Sequence, residues 1–289
     1  MYGKRGKSAS PTSPTRRSSL DDFQDHLVRV GLGVLGDYGF ALAGGYALQA
    51  HQLVDRLSED VDMFTNNQEP ERFTEAVAAL ADAYRQQRLK VEIVRQADTF
   101  ARLEVSDPTT GQAGSVDLAG DYRKEEPVRL SVGPVLAETD AVATKVAAVF
   151  SRGYARDYLD LAGILESGRF SRDALIDLAA SVDAGFSRAW FAEALAAVDR
   201  FEDDQFLRYG VSAERVAQVR AMMRDWSREM QDGIAQEEGR PPSVGRDRQA
   251  QPLGSNSERD GRRSPFPSPW TTGPSGAHES PSRGPEIGF

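Results

Sequence analysis

The residues from Gly44 to Asp62, GGYALQAHQLVDRLSEDVD, carry the side chains best suited to chemistry in this chain. Asp60 and Asp62 lie two apart in Asp-Val-Asp-Met-Phe, and residues two apart in a β-strand point to the same face. Two carboxylates on one face repel unless they are protonated or neutralised. The neutraliser suited to an oxygen-only pair is a hard divalent cation such as Mg2+. A solvated strand end is the plain alternative. Asp is disfavoured inside strands, however, and Val61, Met63 and Phe64 make this segment apolar. Metal-assisted phosphoryl or nucleotidyl transfer supplies a reason for the pair. Such sites draw a third carboxylate from a neighbouring strand. Asp117, in Gly-Ser-Val-Asp-Leu, is the preferred candidate, with Glu104 and Glu92 as rivals.

Gly44 and Gly45 stand between a strand and a helix, where glycine lets the backbone approach a phosphate. A tight turn is the simpler reading, and the Asp pair downstream favours the phosphate. Arg56 and Ser58 precede the pair, Ser58 either touching phosphate or closing the loop. Lys145 is a lone cation in the apolar run Ala-Thr-Lys-Val-Ala-Ala-Val-Phe, so it either snorkels or meets an anion. Next comes Arg152-Gly-Tyr-Ala-Arg156-Asp157-Tyr-Leu-Asp160-Leu, in which Asp157 and Asp160 share a helix face. That cluster reads as surface ion pairs or, beside Lys145, as part of a site. His51 reads as structural, and Tyr46 and Trp190 as core or pocket walls.

These residues require elements to hold them. Leu20, Phe23, Leu27, Val30 and Val34 recur at helical spacing behind Ser19, the expected cap. A short strand over Phe40 to Ala43 leads through the glycine pair into a helix reaching about Val54. Val61 to Phe64 is a strand, and Pro70 opens a helix with Phe73, Val77, Leu80 and Tyr84 on one face. Strands follow at 90–94, 102–105, 115–118 and 129–132, with a turn at Pro108-Thr-Thr-Gly111. From Thr139 only helices are expected, at 139–150, 155–166, 171–182, 186–200 and 212–233. The layout is an α/β part over 20–136 and a helical part over 137–236, an α+β class. A basic arm over 1–19 and a tail over 237–289, rich in Pro, Gly, Ser and charge, read as disordered.

Charge and composition narrow the functions further. The arm carries five basic residues and no acid, and the tail seven of each, so a net −9 leaves −14 on the body between them. Such a body would not bind nucleic acid non-specifically, and an RNA substrate would need a local basic patch or the arm. With no cysteine, disulfides, thiolate metal sites and Cys nucleophiles are excluded. The three histidines argue against a His-rich metal centre. No apolar run reaches the ~18 residues of a membrane span, and no apolar stretch follows the basic start as in a secretory signal. A cytoplasmic location is expected.

Taken together and in order, Gly44-Gly45, Ala47-Leu48, His51, Arg56, Ser58, Asp60, Asp62, Lys145 and Arg156-Asp157-Tyr-Leu-Asp160-Leu161 resemble the AbiEii/AbiGii-type nucleotidyltransferases. These form a branch of the DNA polymerase β-like superfamily. The resemblance implies a polymerase β-like mixed sheet followed by a helical subdomain. It implies Asp60 and Asp62 as Mg2+ ligands, with Asp117 as the third, and Gly44, Gly45, Arg56, Ser58, Arg156 and Asp160 as nucleotide contacts. Lys145 would meet the phosphates, and Asp157 would complete the catalytic set. The implied reaction moves NMP from an NTP such as ATP or CTP onto a hydroxyl. In the best-understood relatives that hydroxyl is the tRNA 3′ end. Many members are toxins of type IV toxin–antitoxin or phage-defence systems, with an antitoxin acting without a stable complex. A small-molecule or protein acceptor, and a non-catalytic nucleotide-binding or regulatory protein, are the alternatives.

Overall fold

The computed structural model describes residues 19–238. The arm and tail expected at the two ends lie outside the described residues, apart from Ser19, Glu237 and Glu238, which are helical. The chain opens with α1 (Ser19–Leu35), β1 (Ala41–Leu42), α2 (Gly44–Ala50), β2 (Asp60–Thr65) and α3 (Pro70–Gln86). Then come β3 (Lys90–Ala97), β4 (Phe100–Ser106), β5 (Ala113–Gly120), β6 (Val128–Leu130) and β7 (Gly133–Val135). The rest is helical: α4 (Glu138–Ser151), α5 (Ala155–Glu166), α6 (Arg172–Val182), α7 (Arg188–Ala196), α8 (Asp204–Leu207) and α9 (Ala213–Glu238).

The strands form one mixed sheet in the order β3-β4-β5-β2-β1-β7-β6. β2 runs parallel to β5 and β1 parallel to β7, while the other pairings are antiparallel. Alternation along β2 decides which side becomes the core. Val61 and Met63 are fully buried, and a Cβ added to Gly31 of α1 would lie 2.4 Å from Met63 Cε. Phe73, Val77, Leu80 and Tyr84 of α3 complete that side, with the Tyr84 hydroxyl donating to the Leu27 carbonyl at 2.9 Å. α1 and α3 therefore cover one face, and Asp60 and Asp62, which alternate with Val61 and Met63, project from the other.

Several elements depart from the sequence reading, each for a local reason. α2 stops at Ala50 because Gln52 turns left-handed (φ 59°) and the His51 ring is anchored to the Leu136 carbonyl at 2.8 Å. The strand expected at 129–132 is a hairpin, β6 and β7, folded at Gly133 (φ 130°). On α1 the buried stripe runs through Phe23, Leu27, Val28, Leu32 and Leu35, rotated from the expected one. Trp190 is no pocket wall: it is 67% exposed, while Phe191 and Leu195 turn inward. Phe191 packs edge-on to Trp226 at 5.3 Å in the helical core.

Candidate active site

β2 presents Asp60 and Asp62 on the face away from α1, as their spacing requires. In the β2–β5 register Asp62 stands opposite Asp117, and in the β4–β5 register Arg102 stands opposite Asp117. One transverse row thus reads Arg102, Asp117, Asp62. Arg102 grips Asp117 bidentately, Nε and Nη2 donating to the two carboxylate oxygens at 2.7 and 2.6 Å. Glu104 is exposed beside it and accepts from the Ser115 hydroxyl at 2.9 Å, while Glu92 lies opposite Glu104, also exposed.

The glycine turn closes directly over this row. Gly44 has φ +58°, and a Cβ there would fall 1.9 Å from Asp62 Oδ2. At Gly45 a Cβ would meet Ser58 Oγ at 2.8 Å and Arg56 Nη2 at 3.1 Å. Neither position tolerates a side chain, the first on conformation as well as space. Ser58 Oγ lies 3.4 Å from the Asp60 carbonyl, bracing the entry to β2.

Helices α4 and α5 supply the far wall. Gly163 lets α5 pack against the loop before β2, since a Cβ there would sit 2.8 Å from the Leu53 carbonyl. Behind that loop lies a buried ion-pair cluster. Arg56 donates to both oxygens of Asp160 at 2.6 and 2.7 Å, and Lys145 Nζ lies 2.9 Å from Asp160 and 3.3 Å from Asp157. Arg152 adds a contact to Asp157 at 3.2 Å. The sequence reading makes Arg56 and Asp160 nucleotide contacts, Asp157 catalytic and Lys145 a phosphate ligand. The fold instead turns all four into each other: their side chains are 4%, 0%, 0% and 7% exposed. Arg156 differs, reaching Asp60 at 3.6 Å with its side chain 24% exposed.

Asp60 and Asp62 are tuned in the opposite direction to Asp157. Burial, then the neighbouring Asp117 charge, pushes Asp62 up to about 7, although Lys145 pulls the other way. Burial also raises Asp60, against the pull of Arg156. For Asp157 burial alone would act upward, yet Lys145 and Arg152 outweigh it and hold the group at about 2. Asp60 and Asp62 are thus short of positive charge. Two carboxylates plus substrate phosphate oxygens are a donor set that fits Mg2+. Among the described residues no three His, Asp or Glu side chains converge as a complete metal cage.

Two members of this neighbourhood escaped the sequence reading. Arg102 was within reach, because the turn at Pro108–Gly111 folds β4 back on β5 and brings position 102 opposite 117. Tyr209 carries no such signal. Its hydroxyl meets Glu59 at 3.3 Å and its ring lies 5.3 Å from the Arg56 guanidinium, across 150 residues of sequence.

Undercompensated carboxylates beside a glycine turn suit a metal-bound polyphosphate, which is the substrate form of nucleotidyl transfer. The chain belongs to the nucleotidyl transferase AbiEii toxin family, of type IV toxin–antitoxin systems, whose family model matches residues 34–244. Seven chains of solved structures match it, JHP933 and MenT4 among them. JHP933 from Helicobacter pylori shares 16% identity, over 76% of this chain and 97% of that one, with a TM-score of 0.49. MenT4, a nucleotidyltransferase toxin from Mycobacterium tuberculosis, shares 21% identity, over 75% of this chain and 91% of that one, with a TM-score of 0.46. No curated protein matches the chain significantly. Among the described residues no helix is long and apolar enough to cross a membrane.

Proposed function

We propose that this protein is a Mg2+-dependent nucleotidyltransferase toxin that moves NMP from an NTP onto a hydroxyl of RNA, the tRNA 3′ end being the acceptor the family suggests. The observation that carries this reading is the half-buried pair Asp60 and Asp62, both raised in pKa, with Asp62 pressed against Gly44. The pair would hold Mg2+, which when bound neutralises phosphate charge and lowers the barrier to attack. Gly44 and Gly45 leave room for the triphosphate, and Ser58 lines it. Arg156 fixes positive charge beside Asp60, where the departing pyrophosphate collects negative charge. The acceptor oxygen bonds to the α-phosphorus, the α–β bridging bond breaks with pyrophosphate leaving, and the hydroxyl proton passes to solvent. Lys145, Asp157, Asp160 and Arg56 hold α5 and the loop before β2 in register, so that Arg156 and Asp60 meet.

The −14 charge of the body favours a second reading, in which the acceptor is a cationic small molecule such as an aminoglycoside. Labelled NTPs, Mg2+ and total RNA or an aminoglycoside distinguish the two. Label entering RNA, and lost in Asp60→Asn and Asp62→Asn, is the expected result. Label entering only the aminoglycoside would move the acceptor, and equal labelling by wild type and variants would remove the site.

A further inference from the structure

Asp117 is held unlike the other two acids of the sheet face. It is 1% exposed and receives two charge-assisted hydrogen bonds from one guanidinium, in strand register, at 2.6 and 2.7 Å. To ligate a metal it would have to surrender both bonds while buried, leaving Arg102 facing the incoming cation. Asp60 and Asp62 have no comparable clamp: the nearest guanidinium, that of Arg156, stays 3.6 Å from Asp60. The charges of the half-buried floor agree. Asp60, Asp62 and Asp117 set against Arg102 and Arg156 leave a single net negative charge, which attracts one divalent ion and opposes a second. Glu59 and Glu104 stand at the exposed rim, where water screens them.

We infer that Arg102 is a positioning residue that keeps Asp117 out of the metal shell, so that this site binds one divalent ion on Asp60 and Asp62, with a fixed guanidinium in place of a second ion. The inference rests on the metal-dependent reading above, and the experiment separates the two. The full chain is titrated with Mn2+ alone, free Mn2+ being followed by electron paramagnetic resonance and heat by calorimetry. Wild type is expected to take one Mn2+ per chain. Asp117→Asn is expected to keep that ratio, with a loss of affinity smaller than that of Asp62→Asn, because it removes a nearby charge and not a ligand. Asp62→Asn is expected to weaken binding at least about tenfold. Arg102→Gln frees a buried carboxylate beside the pair. It is expected to admit a second ion or to tighten the first by about tenfold.

Two ions in wild type, or a loss in Asp117→Asn as large as that in Asp62→Asn, would overturn the inference and leave the proposed function standing. Wild-type affinity in Asp62→Asn would remove the metal site itself. Should Arg102→Gln fail to fold, the wild-type ratio and Asp117→Asn still decide.

Discussion

Asp60 and Asp62 on β2, and Asp157 and Asp160 on α5, are the same two carboxylates placed on one face of a strand and on one face of a helix. The helix pair sits at 0% exposure with Lys145, Arg56 and Arg152 around it, and Asp157 is held at about 2. The strand pair is less deeply enclosed but undercompensated, and Asp62 rises to about 7. The helix pair's charge is matched inside the chain, by Arg56, Lys145 and Arg152. The strand pair has only Arg156 beside it, 3.6 Å from Asp60, and the rise of Asp62 reflects that shortage. Motif spacing alone does not separate the two cases; the count of nearby guanidinium and ammonium groups does.

The largest expected effect that would break this contrast concerns activity. Asp60→Asn and Asp62→Asn should each cost about a hundred- to a thousand-fold in nucleotidyl transfer, measured as label incorporated per minute. Neither should lower the melting temperature at pH 8, because each removes a charge the fold disfavours. Asp157→Asn should do the reverse to the fold. It removes the carboxylate that Lys145 and Arg152 share, and denaturant unfolding at pH 7 should show a loss of about 3–5 kcal/mol. Because the folded pKa of Asp157 lies below its unfolded value, its stabilisation is present above about pH 4 and fades as pH falls toward about 2. The deficit of the variant should shrink over that window.

Smaller effects sharpen the comparison. Gly44→Ala should cost about 1–3 kcal/mol, since its φ is left-handed and its methyl would collide with Asp62. The mildest is the pH dependence of the metal-free wild type. Asp62 has a folded pKa above its unfolded one, so its contribution favours folding at low pH and is lost as pH rises from about 4 to about 7. Comparing melting curves of wild type and Asp62→Asn between pH 5 and pH 8 should isolate about 1–2 kcal/mol of this trend. Mg2+ should stabilise wild type more at pH 8 than at pH 5.

Much of this was legible in the sequence. Period-two spacing put Asp60 and Asp62 on one face, and apolar surroundings singled out Lys145 and Asp117, both of which are buried. Proline and helical periodicity located α3 almost to the residue. What stayed hidden was the identity of each charge's partner. The pairing of Arg56 with Asp160 spans 104 residues, and no local pattern says that a guanidinium beside a metal motif will turn backward into a helix. The Arg102–Asp117 clamp needed only the hairpin register. The hairpin at Gly133 and the early end of α2 were decided by left-handed backbone positions, which a hydrophobic pattern does not encode.

The protonation of Asp62 tests the contrast most directly. Carboxyl-carbon nuclear magnetic resonance on the metal-free protein labelled at aspartate, with the resonance assigned by its absence in Asp62→Asn, gives the titration midpoint. A midpoint near 7 that falls sharply when Mg2+ is added is the expected result. A midpoint near that of a free aspartate, unmoved by Mg2+, would contradict it.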